Sequence, residues 1–291
     1  MSEPIDRDPP ATSAAAFVAV SVTRVGRAGR GQDGPAADTA AVEEPLEVRL
    51  HGRPFAVVMR TPGDDRELAA GFLFAEGVVQ SADEIGAIEH CRHPDRPDVH
   101  NVVDVYLLGP ARASLDDLLA MRRNVVTSAA CGMCGRVTID ALRTRAAPIA
   151  DRTTMTRAVA ASLPDVLRLR QRVFDDTGGL HAAGLFDATG ACLLSREDVG
   201  RHNAVDKIVG AMLMEDRLPL SGRTLAVSGR TSFEIVQKAW LAGIGLLCAV
   251  SAPSSLAIEL AEAAGITLLG FVRAGGFNIY THPNRIADIG A

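Results

Sequence analysis

The sequence predicts an α/β protein made of two units, and three observations carry that expectation. From residue 201 onward, helical-period segments alternate with short apolar strands: helix 201–214, strand 224–227, helix 232–241, strand 245–250, helix 254–263 and strand 266–272. Such alternation implies at least three parallel strands in a three-layer sheet, joined by right-handed crossovers. Upstream, shorter strands at hairpin spacing and two short helices suggest a smaller α+β unit. Finally, 47% of the 291 residues are hydrophobic and 22% charged, so the chain can bury a sizeable core. The expected division is residues 1–44 as tail and linker with one strand, 45–150 as the α+β unit and 151–291 as the α/β domain.

Each element has a local reason. Residues 17–22 alternate with β-branched positions and read as a strand, whereas 28–44, rich in Gly, Ala and Asp, read as a loose connection. Residues 46–50 and 55–59 pair as a hairpin across His51-Gly52-Arg53-Pro54. Asp64-Asp65-Arg66-Glu67 opens a helix to residue 75, its acidic first turn facing the positive end of the helix dipole. Residues 101–108 form a strand, and 115–121 a short helix with Ser114 as its N-cap. Leucines and valines at helical period predict a helix over 155–172, kinked or divided by Pro164. Residues 180–187 and 191–197 form a hairpin around Ala188-Thr189-Gly190.

Composition excludes several functions. The five cysteines form no regular framework and point to a reducing compartment, with the cytoplasm as default. The apolar stretch 14–22 follows Glu3, Asp6 and Asp8 and lacks the basic flank of a secretory signal. The uncharged run 239–258 is interrupted by Gly243, Gly245 and Pro253, which suits a strand-turn-helix better than a membrane span. A net charge of −5 argues against general nucleic-acid binding. Of 30 basic residues only Lys207 and Lys238 are lysine, which reflects either genomic composition or arginines gathered at a phosphate site.

The chemically richest segment is Cys131-Gly132-Met133-Cys134-Gly135. Two thiols three positions apart suit sulfur chemistry or metal binding, but Cys91, Cys192 and Cys248 stand alone, so a four-cysteine zinc site lacks its second pair and no metal is expected. The glycines place the pair on a loop able to present a thiolate to a partner, as against a buried structural pair. A second candidate site lies beyond the carboxyl ends of the parallel strands, at Ser228-Gly229-Arg230-Thr231-Ser232, Ser251-Ala252-Pro253-Ser254-Ser255 and Arg273-Ala274-Gly275-Gly276. Singly, each reads as an ordinary helix cap or turn; together they suit an anionic, nucleotide-like ligand. Between Glu197 and Lys207 runs an unusually polar strand-helix junction, in which Asp206 is placed to orient His202 or the two form a plain surface pair. His181 lies on an apolar strand and suits either a site or the core. His90-Cys91-Arg92-His93 has a metal-like composition, but the prolines after it suggest a variable loop.

Taken together, CGMCGR at Cys131, GGLHAAGLF at Gly178, EDVGRHNAVDKIVG at Glu197, SGRTSFEIVQKA at Ser228, SAPSSLAIELA at Ser251 and GFVRAGGFNIYT at Gly270 resemble the formate dehydrogenase accessory sulfurtransferases of the FdhD/NarQ type, over most of residues 45–286. The resemblance implies a cytoplasmic sulfurtransferase, a homodimer that takes persulfide sulfur from a cysteine desulfurase. It would pass that sulfur to a bis(molybdopterin guanine dinucleotide) molybdenum cofactor before insertion into formate dehydrogenase. It further implies Cys131 as the persulfide-bearing residue, Cys134 as its partner, and Phe271, Val272, Arg273, Ala274, Gly275 and Gly276 as a cofactor-binding segment. Ser228, Gly229, Arg230 and Thr231 are expected to join it, with the cofactor bound as substrate rather than held permanently. The C-terminal domain is expected to be similar to the cytidine deaminase fold.

Three rival functions place different demands on these residues. A zinc deaminase needs a ligand two residues before its catalytic glutamate and a proline before its CxxC. Here His181 is followed by Ala182-Ala183, and Ala130 takes the proline's place. A thiol-disulfide oxidoreductase of the thioredoxin kind would place its cysteines after a βαβ start, which is missing. A chaperone that only binds and protects the cofactor is the remaining alternative.

Overall fold

The computed structural model describes residues 16–26, 33–91, 101–122, 142, 146–273 and 275–289. The first strands, β1 (Phe17–Arg24) and β2 (Gly34–Ala41), pair antiparallel, with Phe17 opposite Ala41. Much of the segment expected to be a loose connection is therefore a strand. Its small residues carry no strand signal of their own, and it is the ladder with β1 that orders them.

A four-stranded sheet follows in the order β4-β3-β6-β5, from β3 (Glu44–Leu50), β4 (Arg53–Arg60), β5 (Ile85–His90) and β6 (Val102–Leu107). The β3–β4 hairpin closes on two residues, His51 at φ 50° and Gly52 at φ 77°. That left-handed pair matches the strand twist and shortens the four-residue turn expected from sequence. Asp104 holds the turn by accepting the Gly52 N–H at 2.9 Å. Helix α1 (Asp65–Glu76) ends at Gly77, which is left-handed and donates its N–H to the carbonyls of Leu73 and Phe74. Helices α2 (Gly109–Ala113) and α3 (Leu115–Arg122) continue the unit. Ser114 does not act as the expected cap of α3: its hydroxyl donates back to the carbonyls of Pro110 and Ala111 and so closes α2, a helix too short to show a period in the sequence.

After a short strand β7 (Met155–Thr156), Thr156 caps α4 (Arg157–Arg168) by accepting the Val159 N–H. Pro164 lies inside α4 and does not end it; the expected helix over 155–172 instead stops at Arg168, and α5 (Arg172–Thr177) is separate. The large sheet has the order β13-β12-β11-β10-β8-β9. Its strands are β8 (His181–Phe186), β9 (Cys192–Asp198), β10 (Thr224–Val227), β11 (Leu246–Ala249), β12 (Thr267–Arg273) and β13 (Gly276–Thr281). Strands β10, β11 and β12 run parallel, as the alternation predicts, whereas β8 and β13 join them antiparallel. Strand β13 is not among the expected strands, although Phe277 and Ile279 alternate with Asn278 and Tyr280 and pack on the α4-side core.

Helices α6 (Arg201–Met214), α7 (Phe233–Leu241) and α8 (Ser255–Ala264) complete the domain. Alternation along the strands divides the core: Ala183, Leu185, Leu225, Val227, Leu247 and Ala249 pack with α6, α7 and α8, whereas Ala182, Ala226 and Cys248 pack with Leu163 and Leu167 of α4. The first of these cores also contains Leu46, Val48, Leu68 and Leu73, so apolar packing is continuous from the small sheet through α1 and α6 to the large one.

The α1–α6 contact permits no side chain at its crossing. A Cβ on Gly71 would overlap the Asp206 carbonyl, and one on Gly210 would overlap the Glu67 carbonyl. Both obstacles are backbone, which cannot rotate away. Gly210→Ala is therefore expected to destabilise the protein by at least the roughly 3 kcal/mol upper range for overpacking. Urea unfolding checks this through a lowered midpoint.

Candidate functional site at the strand ends

The loops that leave β10, β11 and β12 are tied into one surface. Thr231 forms an isolated bridge with Pro253, donating its N–H to Ala252 and accepting from the Ser254 N–H, and the Phe271 N–H donates to the Ser251 carbonyl. Ser228 is anchored from the neighbouring strand: its N–H donates to the Ala182 carbonyl at 2.9 Å and its Oγ accepts the Ala182 N–H at 2.9 Å. Thus two of the three runs expected to converge are physically joined, and the third is attached through Phe271.

Individual residues behave differently within this row. Ser254 caps α8, its Oγ accepting the Ala257 N–H, so the ordinary helix-cap reading holds there. Ser232 stands at the N-cap of α7 but leaves the helix N–H groups uncapped; its Oγ lies 2.9 Å from His202 Nε2. Arg230 is exposed, whereas Thr231 is 1% exposed. Phe271 has a left-handed backbone at φ 54° and a 38% exposed ring. Val272 is fully buried in the α4-side core, which leaves only its backbone to a ligand. Arg273 pairs with Gly276 at the mouth of the β12–β13 turn, with its side chain exposed. A Cβ added to Gly275 or Gly276 would meet no atom within 4 Å, so the turn is open to close approach. Ala274 lies outside the described residues, as do Cys131 and Cys134.

The polar junction after β9 supplies the other side of the site. His181 at the start of β8 pairs in register with Asp198 at the end of β9. Gly229 faces His181: a Cβ there would sit 3.3 Å from Nδ1 and 3.9 Å from the Arg201 Cδ. Burial pushes the His181 imidazole below its ordinary value, and the charges of Arg201, His202 and Arg230 push it further, against the opposing pull of Asp198. His202 is not oriented by Asp206 as expected: its Nε2 lies 3.0 Å from Glu234 Oε2, and Asp206 instead holds Lys238 Nζ at 2.6 Å. Helical spacing puts the first pair on one face, but the packing of α7 against α6 supplies nearer partners. The hydrogen bond from His202 holds the Glu234 carboxyl below its usual range despite burial.

Beneath this surface, Lys207 Nζ and Asp198 Oδ2 form a buried ion pair at 2.8 Å, and Asp198 also accepts from Asn203 and from the Thr61 and Gly200 N–H groups. The arginines divide in the same way between structure and site. Arg60 pairs with Asp65, Arg196 with Glu67, and Arg285 donates to the carbonyls of Asp151, Gly265 and Ile149. Arg201, Arg230 and Arg273 remain at the strand ends. Arg201 and Glu234 do not stand out in the sequence, although both lie inside polar runs at strand-helix junctions.

The three described cysteines are disfavoured as thiolates. Burial pushes Cys91 and Cys192 up, and the fully buried Cys248 up to about 12. His90 Nε2 lies 3.9 Å from Asp65 Oδ2, while Arg92 and His93 lie outside the described residues. Among the described residues no group of three or more His, Cys, Asp or Glu side chains is placed to hold a metal ion. No helix among them is long and apolar enough to cross a membrane.

The His181 shift has a stability consequence with a definite sign. Because its folded pKa lies below the unfolded value of about 6.5, the unfolded chain binds a proton more readily, and the native state loses stability as pH falls through that value. His181→Asn should therefore lose less stability than the parent between pH 7.5 and about 5.5, as read from urea midpoints.

Known proteins resemble this chain over nearly its whole length. A sulfur carrier protein FdhD from Streptomyces avermitilis is 53% identical over 86% of this chain and 89% of its own. The protein of the same name from Mycobacterium tuberculosis is 47% identical over 86% and 92%. A crystal structure of a formate dehydrogenase accessory protein from Desulfotalea psychrophila superposes with a TM-score of 0.72 at 26% identity, covering 94% of this chain and 100% of that one. Residues 41–287 match the FdhD/NarQ family, and the chain belongs to it.

Proposed function

We propose that this protein is a sulfur carrier serving a formate dehydrogenase, as the names of its relatives suggest. In this reading Cys131 and Cys134 are the carrier thiols and act as a sulfurtransferase. What supports it is that Cys131 and Cys134 are the one close pair of thiols in the sequence, whereas burial pushes the thiols of Cys91, Cys192 and Cys248 up, against thiolate formation there. A Cys131 thiolate attacks the terminal sulfur of a cysteine desulfurase persulfide. The desulfurase S–S bond breaks, its cysteine leaves as thiolate, and a persulfide forms on Cys131 without net oxidation.

The substrate that receives the sulfur is a bis(molybdopterin guanine dinucleotide) molybdenum cofactor, bound at the strand ends. Arg230 and Arg273 reach it from two sides as exposed cations, with the open Gly275-Gly276 turn allowing backbone approach. Ser228, Gly229 and Thr231 complete the floor. The protein works as a cytoplasmic homodimer whose C-terminal domain is similar to the cytidine deaminase fold, here with three parallel strands flanked by antiparallel ones.

Incubation with a cysteine desulfurase and cysteine should add one sulfur atom to Cys131, located by peptide mapping of the intact protein. Stable sulfur found only on Cys91, Cys192 or Cys248 would sink this assignment. If a Cys131→Ser, Cys134→Ser variant still supported formate dehydrogenase activity in cells, the protein would be a cofactor-binding chaperone instead.

Arg273 is expected to hold a cofactor phosphate. Loss of such a charged hydrogen bond costs about 1.5 to 3 kcal/mol, so Arg273→Ala should weaken guanine nucleotide binding by roughly one to two orders of magnitude. Calorimetric titration of parent and variant measures this, and an unchanged thermal midpoint shows that folding is intact.

A further inference from the structure

His181, Arg201 and Arg230 come together from three different elements around the backbone of Gly229, next to the N-termini of α6 and α7. Two buried polar atoms there lack a hydrogen-bond partner: Arg201 Nε and Thr231 Oγ1, the latter on a residue only 1% exposed. Ser232, which would ordinarily cap α7, is turned to His202 and leaves the uncapped N–H groups of a nine-residue helix beside them. Orphaned donors, an uncapped helix and three basic side chains at one place describe a seat for an anion.

We propose that His181, Arg201, Arg230 and Thr231 form one oxyanion seat for the diphosphate of the ligand, a dianion as a whole, and that binding is coupled to uptake of one proton by His181. This rests on the reading that the strand ends bind a phosphate-bearing ligand; it adds which residues take a phosphoryl group and how pH controls them. No covalent bond changes, and the proton comes from solvent.

The surroundings of His181 determine the coupling. From β9 it faces Asp198, whose charge is already engaged by Lys207, Asn203 and two backbone N–H groups. From α6 the charges of Arg201 and His202 act on it, and from the loop after β10 that of Arg230, with Arg201 beside the same Gly229 backbone as the His181 ring. Glu234 of α7 is turned to His202. In the free protein burial, and after it the excess of cations over anions, therefore holds the His181 imidazole below its ordinary value and favours the neutral ring. A dianion seated among the same groups reverses that balance and makes imidazolium the favoured form, with both ring nitrogens as donors. Affinity should then fall as pH rises through the His181 pKa of the complex. Gly229 is needed in either state, because a side chain there would press on the His181 ring.

The test is an NMR titration of the histidine rings in the full-length protein, alone and with saturating GDP, guanosine, inorganic phosphate or sulfate. His181→Asn identifies the His181 resonance. Arg230→Ala, an exposed position that should leave folding intact, provides a second route. The expected result is a rise in the His181 pKa of about one unit or more with GDP, none with guanosine, and a smaller effect from phosphate and from sulfate, which does not itself titrate near neutrality. Arg230→Ala should raise the His181 pKa of the free protein and weaken GDP binding about tenfold or more. GDP binding with an unmoved His181 would overturn the proton coupling while leaving the strand-end ligand site standing. Failure of GDP to bind at all would overturn both. A response to free phosphate and sulfate but not to GDP would overturn assignment of the seat to a nucleotide.

Discussion

The arrangement of the molecule depends on the close crossing of α1 and α6 at Gly71 and Gly210. With backbone against backbone, neither helix can slide or roll without one glycine meeting a carbonyl of the other. The crossing fixes the axial rotation of α6, and so the direction in which its first turn presents Arg201 and His202. It also places the small sheet, through α1, beside the end of the large sheet where β9 meets α6.

Buried charge reinforces this junction. Both lysines of the chain are spent inside: Lys207 with Asp198, and Lys238 with Asp206. Lys207 also donates to the Thr61 carbonyl, Thr61 accepts the Val199 N–H, and Asn203 donates to the Met59 carbonyl. A buried ion pair gains little net stability over apolar packing, because desolvation offsets the attraction, yet removing one partner leaves an uncompensated charge. The pairs therefore act mainly against alternative placements. In this arrangement β4, β9 and α6 share the Asp198–Lys207 pair and the hydrogen bonds of Thr61 and Asn203 around it.

This rigid base supports a surface of the opposite character. At the strand ends, Arg201 Nε and Thr231 Oγ1 are left without partners, burial and neighbouring cations hold the His181 imidazole below its ordinary value, and the β12–β13 turn has no side chains at its glycines. Unsatisfied groups of this kind cost free energy in the free protein and become favourable only with a ligand in place. The described thiols contribute nothing to this surface: burial pushes all three up, away from the thiolate form.

The sequence alone determined whatever depends on local periodicity. Helix α6 and strand β10 fall at the expected residues, and β11, β12, α7 and α8 lie within about two residues of their expected bounds, because apolar residues at a fixed period specify both the element and its buried face. The row of strand-end loops followed directly, since parallel strands bring their carboxyl ends to one side. Tertiary structure decided what depends on partners distant in sequence. Strand β2 exists through pairing with β1, not through its own composition. Ser114 closes the helix before it, and His202 takes Glu234 and Ser232 in place of Asp206. The same holds for Arg201: nothing in its local sequence separates it from Arg60, Arg196 or Arg285, and it belongs to the site because the glycine crossing aims α6 at Gly229 while the other three find carboxylates or carbonyls inside. Local propensity acts over a few residues, whereas the partner that satisfies a buried charge is chosen by the whole fold.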